Sequence, residues 1–175
     1  MVNSLTDAIM IYEKAESLVK HHGTRELIKI AESEGVKIFY SDKFEKLLGL
    51  YTCKWKNRII ILNSNVEEYT MNIVTAHELG HDKLHREIAK NGLMEFALFN
   101  VKNTVENEAN IFASHLLLDN DSVEEILKQG YTLKDTSRIL NTDVNILLIK
   151  LKEMNKLGYS LPLVPEPDRY FLNKL

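Results

Sequence analysis

The chain has 175 residues, a hydrophobic content of 45% and a net charge of −3 at pH 7. This length suits one domain with a substantial core, and this charge gives no electrostatic support to nonspecific nucleic-acid binding. The single cysteine, Cys53, excludes an internal disulfide and suits a reducing compartment. The first residues lack the basic-then-apolar pattern of a signal peptide, and no segment has the roughly 20 apolar residues that span a bilayer. We therefore expect a cytoplasmic globular protein with no membrane partner.

The N-terminal third is predicted to be helical and then extended. The apolar residues of the first segment recur at helical spacing, Thr24 is expected to cap a second helix, and Gly35 is expected to end it. Alternating apolar residues then favour strands and a hairpin around Lys56-Asn57. The predicted elements are helices over residues 5–20 and 25–34 and strands over residues 36–40, 50–56 and 58–62, with the strands forming a small antiparallel sheet.

A possible metal-binding sequence, His77-Glu78-Leu79-Gly80-His81, lies in a segment predicted to be helical over residues 66–86. Residues four apart share one helix face, so both imidazoles can reach one metal ion. Polar residues 63–65 are expected to cap this helix. Two neutral histidines suit Zn²⁺, although imidazole and carboxylate ligands do not exclude Mn²⁺ or Fe²⁺. Glu78 would then act as general base on a water molecule, as in a zinc peptidase.

A third metal ligand is expected from a second helix, predicted over residues 104–119. Glu106 and Glu108 compete for this role, and they point about 200° apart on a helix, so both cannot easily reach one ion. One turn after Glu106 lies Asn110, which can hydrogen-bond a metal-binding histidine or Glu106 itself, whereas Phe112 follows Glu108 and offers no such bond. We therefore favour Glu106 as the ligand and keep Glu108 as the alternative.

These two segments resemble the ImmA/IrrE family of gluzincin-type metallopeptidases, over about residues 23–118. The resemblance implies a zincin-like α+β fold, Zn²⁺ bound by His77, His81 and Glu106, and Glu78 as general base. It also implies a small cytosolic protease that inactivates a helix-turn-helix repressor of a prophage or mobile element. The sequence departs from the family at Leu118-Asp119, where many relatives have Met-Pro. The matching residues are Thr75, Ala76, His77, Glu78, Leu79, Gly80, His81, Leu84, His85, Glu106, Glu108, Ala109, Asn110, Phe112, Ala113, Leu116 and Leu117.

Other histidines and tyrosines are weaker candidates for function. His85 lies about 12 Å along a straight helix from His77, so it cannot complete the same ligand set and is expected to support or pack against the site. On its own helix, His115 is expected to be exposed. His21-His22 are expected at a helix terminus, not as a ligand pair. The residue that stabilises the oxyanion stays open among His85, His115, Tyr131 and Tyr159.

The segment after the first predicted metal-binding helix, residues 87–102, is interpreted as a packed connector, with a mobile lid or a hydrophobic substrate-contact loop as the alternative. Three further helices are predicted over residues 122–129, 132–140 and 144–157, and the last two resemble a helix-turn-helix. The final helix is largely apolar apart from Asn145, Lys150, Lys152 and Lys156, so a structural bundle or a repressor-docking surface is favoured over DNA binding.

The sequence thus predicts one metallopeptidase domain over residues 1–160, with a C-terminal helical subregion at about 120–160 and a proline-containing tail over residues 161–175. The leading hypothesis is a zinc-dependent endopeptidase that cleaves a helix-turn-helix repressor. The alternative is a non-proteolytic antirepressor that binds its regulator and uses zinc only for structure. Glu78 separates the two hypotheses, because a structural zinc needs no general base.

Overall fold

The computed structural model describes residues 5–90 and 104–162, together with 165 and 167. These residues form eight helices and three strands, so the α+β class is confirmed. In chain order they are α1 (Leu5–His22), α2 (Leu27–Ser33), β1 (Val36–Ser41), β2 (Gly49–Lys54), β3 (Asn57–Asn63), α3 (Glu68–Leu84), α4 (Arg86–Lys90), α5 (Thr104–Leu117), α6 (Asn120–Lys128), α7 (Leu133–Ile139) and α8 (Val144–Lys156). Among these helices, none is both long and apolar enough to cross a membrane.

The three strands form a mixed sheet in the order β1-β3-β2, so the expectation of an antiparallel sheet was wrong for one pair. Strand β2 pairs with β3 antiparallel, but β1 pairs with β3 parallel, with Val36 opposite Arg58. A tight hairpin fixes only the β2–β3 pair, whereas β1 reaches the far side of β3 through residues 42–48. The Asn63 amide donates hydrogen bonds to the carbonyls of Phe44 and Leu47 in that segment, at 3.1 and 2.9 Å.

The hairpin turns at Trp55-Lys56, one residue earlier than predicted. Both residues have positive φ, 50° and 66°, as a two-residue turn that matches the strand twist requires. The alternation that buries Tyr51 and Cys53 therefore stops at Cys53, and Trp55 is 87% exposed in the turn. A strand pattern read from apolar spacing could not distinguish this tryptophan from a third inward-facing residue.

The first metal-binding helix of the prediction is α3, and its ends differ from those expected. Residues 63–65 do not cap it; the N-cap residue is Glu67, which makes no capping hydrogen bond through its side chain. The helix ends at Leu84 and His85 is its C-cap, with φ −123°. His85 therefore leaves the straight helix path, and this brings its ring beside the site described below.

Helix α5 lies at the centre of the fold and packs against α3, α1 and α8. Its contact with α3 is close at Gly80, where an added Cβ would lie 3.0 Å from Cα and 3.1 Å from the carbonyl oxygen of Ala109. Glycine inside a helix costs about 1 kcal/mol relative to alanine. The close approach of the two helices at Gly80 explains this residue and sets the distance between the side chains they present to each other.

The C-terminal helices are formed largely as predicted, and their starts are capped. The side chains of Asp119, Thr132 and Asp143 each accept a backbone N–H at the first turn of α6, α7 and α8. Helix α8 is mostly buried, and Lys150, one of its few polar residues, is 0% exposed. The predicted division at residue 160 stays a prediction. The segment interpreted as a connector lies largely at residues 91–103, outside the described residues. Most of the predicted tail, residues 161–175, also lies outside them.

Candidate metal centre

Three side chains from two helices converge on one point. His77 and His81 lie one turn apart on α3, and Glu106 reaches them from the first turn of α5. The Nε2 atoms of the histidines are 3.0 Å apart, and they lie 3.2 and 3.4 Å from the two Glu106 oxygens. Ligand atoms about 2.0–2.2 Å from one tetrahedral Zn²⁺ lie roughly 3.3–3.5 Å apart. The triangle is therefore of the size that one such ion needs, and these residues could hold a metal ion.

The outer nitrogen of His77 has the partner that the sequence predicted. Its Nδ1 lies 2.9 Å from Oδ1 of Asn110, and both residues are buried. An Nδ1–H that donates to this oxygen leaves Nε2 with a free lone pair directed at the triangle. Asn110 lies one turn after Glu106 on α5, so one helix supplies both a triangle carboxylate and the support of His77.

The outer nitrogen of His81 faces a second histidine. Its Nδ1 lies 3.2 Å from Nδ1 of His85, and Nε2 of His85 lies 2.9 Å from Oε2 of Glu108. His85 is thus a supporting residue, as expected, and not a member of the triangle. Glu108 is part of the same arrangement, and the sequence reasoning missed this role. The sequence showed only that Glu108 points away from Glu106. That this direction leads to His85, at the end of α3, depends on how the two helices pack.

Glu78 lies beside the triangle and is nearly inaccessible, with 5% exposure. Burial raises its pKa to about 7, against the opposing effect of His77, and the backbone N–H of Tyr51 on β2 donates to its carboxyl. Burial also lowers the pKa of His81 to about 4. Although burial opposes it, hydrogen bonds from His77 and His81 hold the pKa of Glu106 far below its usual range. The Glu106 carboxyl is therefore ionised inside the triangle, and the Glu78 carboxyl next to it is easily protonated.

Asp82 anchors the end of α3 to the sheet. This carboxylate is 0% exposed and accepts a hydrogen bond from the Tyr51 hydroxyl at 2.8 Å, and Arg86 pairs with it at 3.0 Å. Arg58 of β3 lies 3.5 Å away. The sequence reasoning did not single out Asp82, because an aspartate is mostly exposed unless it is paired, and its partners lie on other elements or beyond the helix end. Through Tyr51, the strand that touches Glu78 is fixed to the helix that bears His77 and His81.

Comparison with known proteins agrees with this geometry. Residues 31–160 match the family model described as the IrrE N-terminal-like domain of the M78 peptidases, nearly three-quarters of the chain. The chain belongs to this family. It is similar to Uncharacterized immunity region protein 2 of Bacillus phage phi105, with 29% identity over 148 residues, covering 85% of this chain and 92% of the relative. It is also similar to Metallopeptidase ImmA of Bacillus subtilis (strain 168), with 28% identity over 151 residues, covering 82% of this chain and 85% of the relative.

In this M78-family chain, His115 is not exposed as predicted but 0% exposed. Its Nδ1 lies 3.1 Å from Nζ of Lys150, and its ring meets the Tyr12 ring edge-on at 5.1 Å between centroids. The prediction assumed that α5 has one inner face, but neighbouring helices cover it on several sides. A position opposite the α3 contact is therefore buried under α1 and α8.

The remaining candidates for oxyanion stabilisation lie in different surroundings. Both ring nitrogens of His85 are engaged, by His81 and Glu108. The Tyr159 hydroxyl accepts from the Asn120 amide at 3.3 Å, and Tyr131 is 48% exposed before α7. The described contacts therefore assign none of these residues to the oxyanion, and the question stays open.

A second group of possible ligands lies at the end of α1, which closes at His22 as expected. Ring nitrogens of His21 and His22 and an oxygen of Glu34 lie within 4.8 Å of one another. However, the Glu34 carboxylate already pairs with Lys83 at 2.5 Å and His22 at 2.8 Å. The hydrogen bond from Lys83 is the largest cause that lowers the Glu34 pKa, to about 2. These contacts favour a structural tie between α2 and α3 over a second metal site.

Proposed function

We propose that this protein is a zinc-dependent endopeptidase of the cytoplasm that cleaves a helix-turn-helix repressor of a prophage or mobile element and so derepresses it. The observation that carries the proposal is the placement of a buried carboxyl, Glu78, beside the triangle of His77, His81 and Glu106. A structural zinc site needs ligands only, whereas hydrolysis also needs a proton acceptor next to the ion.

The proposed ligands of Zn²⁺ are His77, His81 and Glu106. Two imidazoles and one carboxylate leave a fourth position of a tetrahedral ion for the reaction, as in other zinc peptidases. When bound, the ion would acidify water and polarise the peptide carbonyl. Glu106 supplies one negative charge to the site, and the outer hydrogen bond of His77 to Asn110 keeps that ring in place.

Glu78 is proposed to act as the general base. Its carboxyl accepts a proton from the attacking water and delivers it to the nitrogen of the leaving peptide. A raised pKa of about 7 suits both steps, because a group that titrates near the working pH can accept a proton and release it again. The Tyr51 N–H holds one oxygen of this carboxyl, so its orientation is fixed before a substrate arrives.

The substrate is proposed to lie along β2. This strand is at an edge of the described sheet, next to Glu78, and an extended peptide can add to such an edge through backbone hydrogen bonds. The names of the two relatives, a phage immunity region protein and a metallopeptidase, support a protein substrate in phage immunity. A repressor with a helix-turn-helix is the partner that the sequence resemblance implies, and direct nucleic-acid binding forms no part of the proposal.

The experiment that tests this function is co-expression of the chain with a candidate helix-turn-helix repressor, followed by intact-mass analysis of the repressor. Wild type is compared with Glu78→Gln, which preserves the size of the side chain and removes its basicity. Glu125→Ala, a change at an exposed position of α6, is the control. Zinc content is measured for all three proteins, so that loss of metal is separated from loss of the base.

We expect discrete repressor fragments with wild type and Glu125→Ala and an intact repressor with Glu78→Gln. An intact repressor that co-purifies with both wild type and Glu78→Gln would favour the non-proteolytic antirepressor. Equal clearance of the repressor by wild type and by zinc-loaded Glu78→Gln would refute hydrolysis by Glu78.

A further inference from the structure

Three side chains form a continuous path from the edge of the protein to the triangle. The Glu108 side chain is 26% exposed, and its Oε2 lies 2.9 Å from Nε2 of His85. The His85 ring is almost fully buried, and its Nδ1 lies 3.2 Å from Nδ1 of His81. His81 in turn directs Nε2 at His77 and Glu106. Both ring nitrogens of His85 and Nδ1 of His81 therefore each have one defined neighbour.

The carboxylate determines where the protons on the path lie. An ionised carboxylate only accepts hydrogen bonds, so a neutral His85 must carry its proton on Nε2 and donate it to Glu108. Its Nδ1 is then an acceptor. When a metal ion occupies the triangle, Nε2 of His81 cannot carry a proton, so the proton of His81 lies on Nδ1 and is donated to His85. The lone pair of His81 is left on Nε2, the atom that faces the triangle.

We propose that Glu108 and His85 are positioning residues that fix the orientation and the tautomer of His81 for metal binding. The inference rests on the proposed metal site and adds to it the origin of one ligand's geometry. Partners of this kind on the outer nitrogen of a metal-binding histidine typically contribute 10–100-fold to metal affinity, an order-of-magnitude figure.

The two histidines of the triangle differ in their outer support. His77 donates to a neutral amide, Asn110, on the same helix as Glu106. His81 is linked through a second imidazole to a carboxylate, whose charge increases the basicity of the ring. Without Glu108, His85 could carry its proton on Nδ1, where it would face the Nδ1–H of His81, donor against donor. His81 could then avoid the conflict only by moving its own proton to Nε2, which would block the ligand atom.

Zinc affinity tests the proposal directly. The dissociation constant is measured by competition with a chromophoric chelator for wild type, Glu108→Gln, Glu108→Ala and the control Glu125→Ala. We expect Glu108→Ala to weaken binding about 10–100-fold and Glu125→Ala to leave it within about twofold. Glu108→Gln keeps an acceptor oxygen without the charge and should lie between wild type and alanine. Equal affinities of wild type and Glu108→Ala would overturn the proposal.

Nuclear magnetic resonance of the zinc-loaded wild type gives a readout that does not depend on affinity. In protein labelled with ¹⁵N at histidine, two-bond correlations distinguish the two tautomers, and signals are assigned by their loss in His85→Asn and His81→Asn. We expect the proton of His81 on Nδ1 and that of His85 on Nε2. A His85 ring protonated on Nδ1 instead would overturn the proposal, even if Glu108→Ala failed to fold.

The combined results separate this inference from the proposed function. A wild type that binds no zinc would overturn both. A wild type that binds zinc and cleaves its substrate with Glu78, but whose affinity is unchanged in Glu108→Ala, would overturn only the role of Glu108 and His85. Weaker zinc binding in Glu108→Ala together with the expected tautomers would support the positioning role whether or not a substrate is in hand.

Discussion

The two halves of α5 differ in whether their polar side chains have hydrogen-bonding partners. In the first half, Glu106, Glu108 and Asn110 each have a hydrogen-bonding partner among the histidines of α3 and its C-cap. In the second half, His115 meets the amine of Lys150 through one nitrogen, while its Nε2 has no partner. Among the described residues, every buried side-chain nitrogen or oxygen without a partner belongs to a residue from 115 onward.

Buried polar groups therefore have different consequences in the two halves. The polar side chains of the first half are paired without a metal ion, so the proposed ligands are held in place and metal binding need not order them. The second half leaves one buried nitrogen, Nε2 of His115, without a partner, and such a group costs about 1–3 kcal/mol. Lys150 lies where α8 packs against α5, and the packing of these two helices must offset that cost. Four substitutions test this comparison: two lie at or against the first half of α5, and two are at residues that contact its second half.

The largest effect is expected from Glu106→Ala in the first half. Loss of a direct ligand should weaken zinc binding by more than about 100-fold, beyond the range expected of residues that only support a ligand. The measurement is the same chelator competition, with Glu108→Ala beside it. A larger loss in Glu108→Ala than in Glu106→Ala would reverse the assignment and make Glu108 the ligand.

A smaller but still large effect is expected from Gly80→Ala, where α3 meets the first half of α5. The added methyl would lie 3.0 Å from Ala109 Cα and 3.1 Å from its carbonyl oxygen, so the backbones must separate. We expect the zinc-free protein to lose about 1–3 kcal/mol of unfolding free energy in urea. Stabilisation by about 1 kcal/mol, the gain in helix propensity alone, would show that the helices do not approach so closely.

An effect of opposite sign is expected from Lys150→Met on α8, where the lysine contacts His115 in the second half of α5. The lysine is fully buried, and burial lowers its pKa to about 7. The unfolded chain binds this proton more tightly, so wild-type stability should rise as the pH increases from about 7 towards 10.5. Methionine has no amine to desolvate, and we expect about 1–3 kcal/mol more stability at pH 7.

The pH dependence provides the check on Lys150. Urea unfolding of wild type and Lys150→Met is compared at pH 7 and pH 9, with zinc removed. The advantage of the methionine variant should shrink at pH 9, because the lysine is then neutral in the folded protein. An advantage that is constant across this range would mean that the amine keeps its charge when buried.

The smallest effect is expected from Arg25→Met. This residue precedes α2 and contacts the C-terminal end of α5. The Arg25 guanidinium donates to the carbonyls of His115 and Leu116, at 2.9 Å each, and so binds the last turn of α5. Removing these bonds should cost about 1 kcal/mol of unfolding free energy, with zinc affinity unchanged. Weaker zinc binding in this variant would show that the two halves of α5 are coupled.

Much of the first half could be predicted from residue spacing. His77 and His81 share a helix face at any tertiary arrangement, and Asn110 lies one turn from Glu106 wherever α5 packs. Asn110 could therefore be named as a supporting group, although its choice of His77 depends on how α5 packs against α3. The partnership of Glu108 with His85 could not be predicted, because it also depends on the C-cap conformation that turns His85 away from the path of α3.

The sequence alone determined the local chemistry: which side chains share a helix face, which segments are helices or strands, and which family they resemble. Tertiary structure decided the rest, because it depends on which elements pack together. The parallel pairing of β1 with β3, the burial of His115 and Lys150 under several helices, and the contact of Gly80 with Ala109 all join residues far apart in the chain. Spacing within one helix does not determine the distance to another helix, so only the fold places Glu106 and Glu108 against their different histidines.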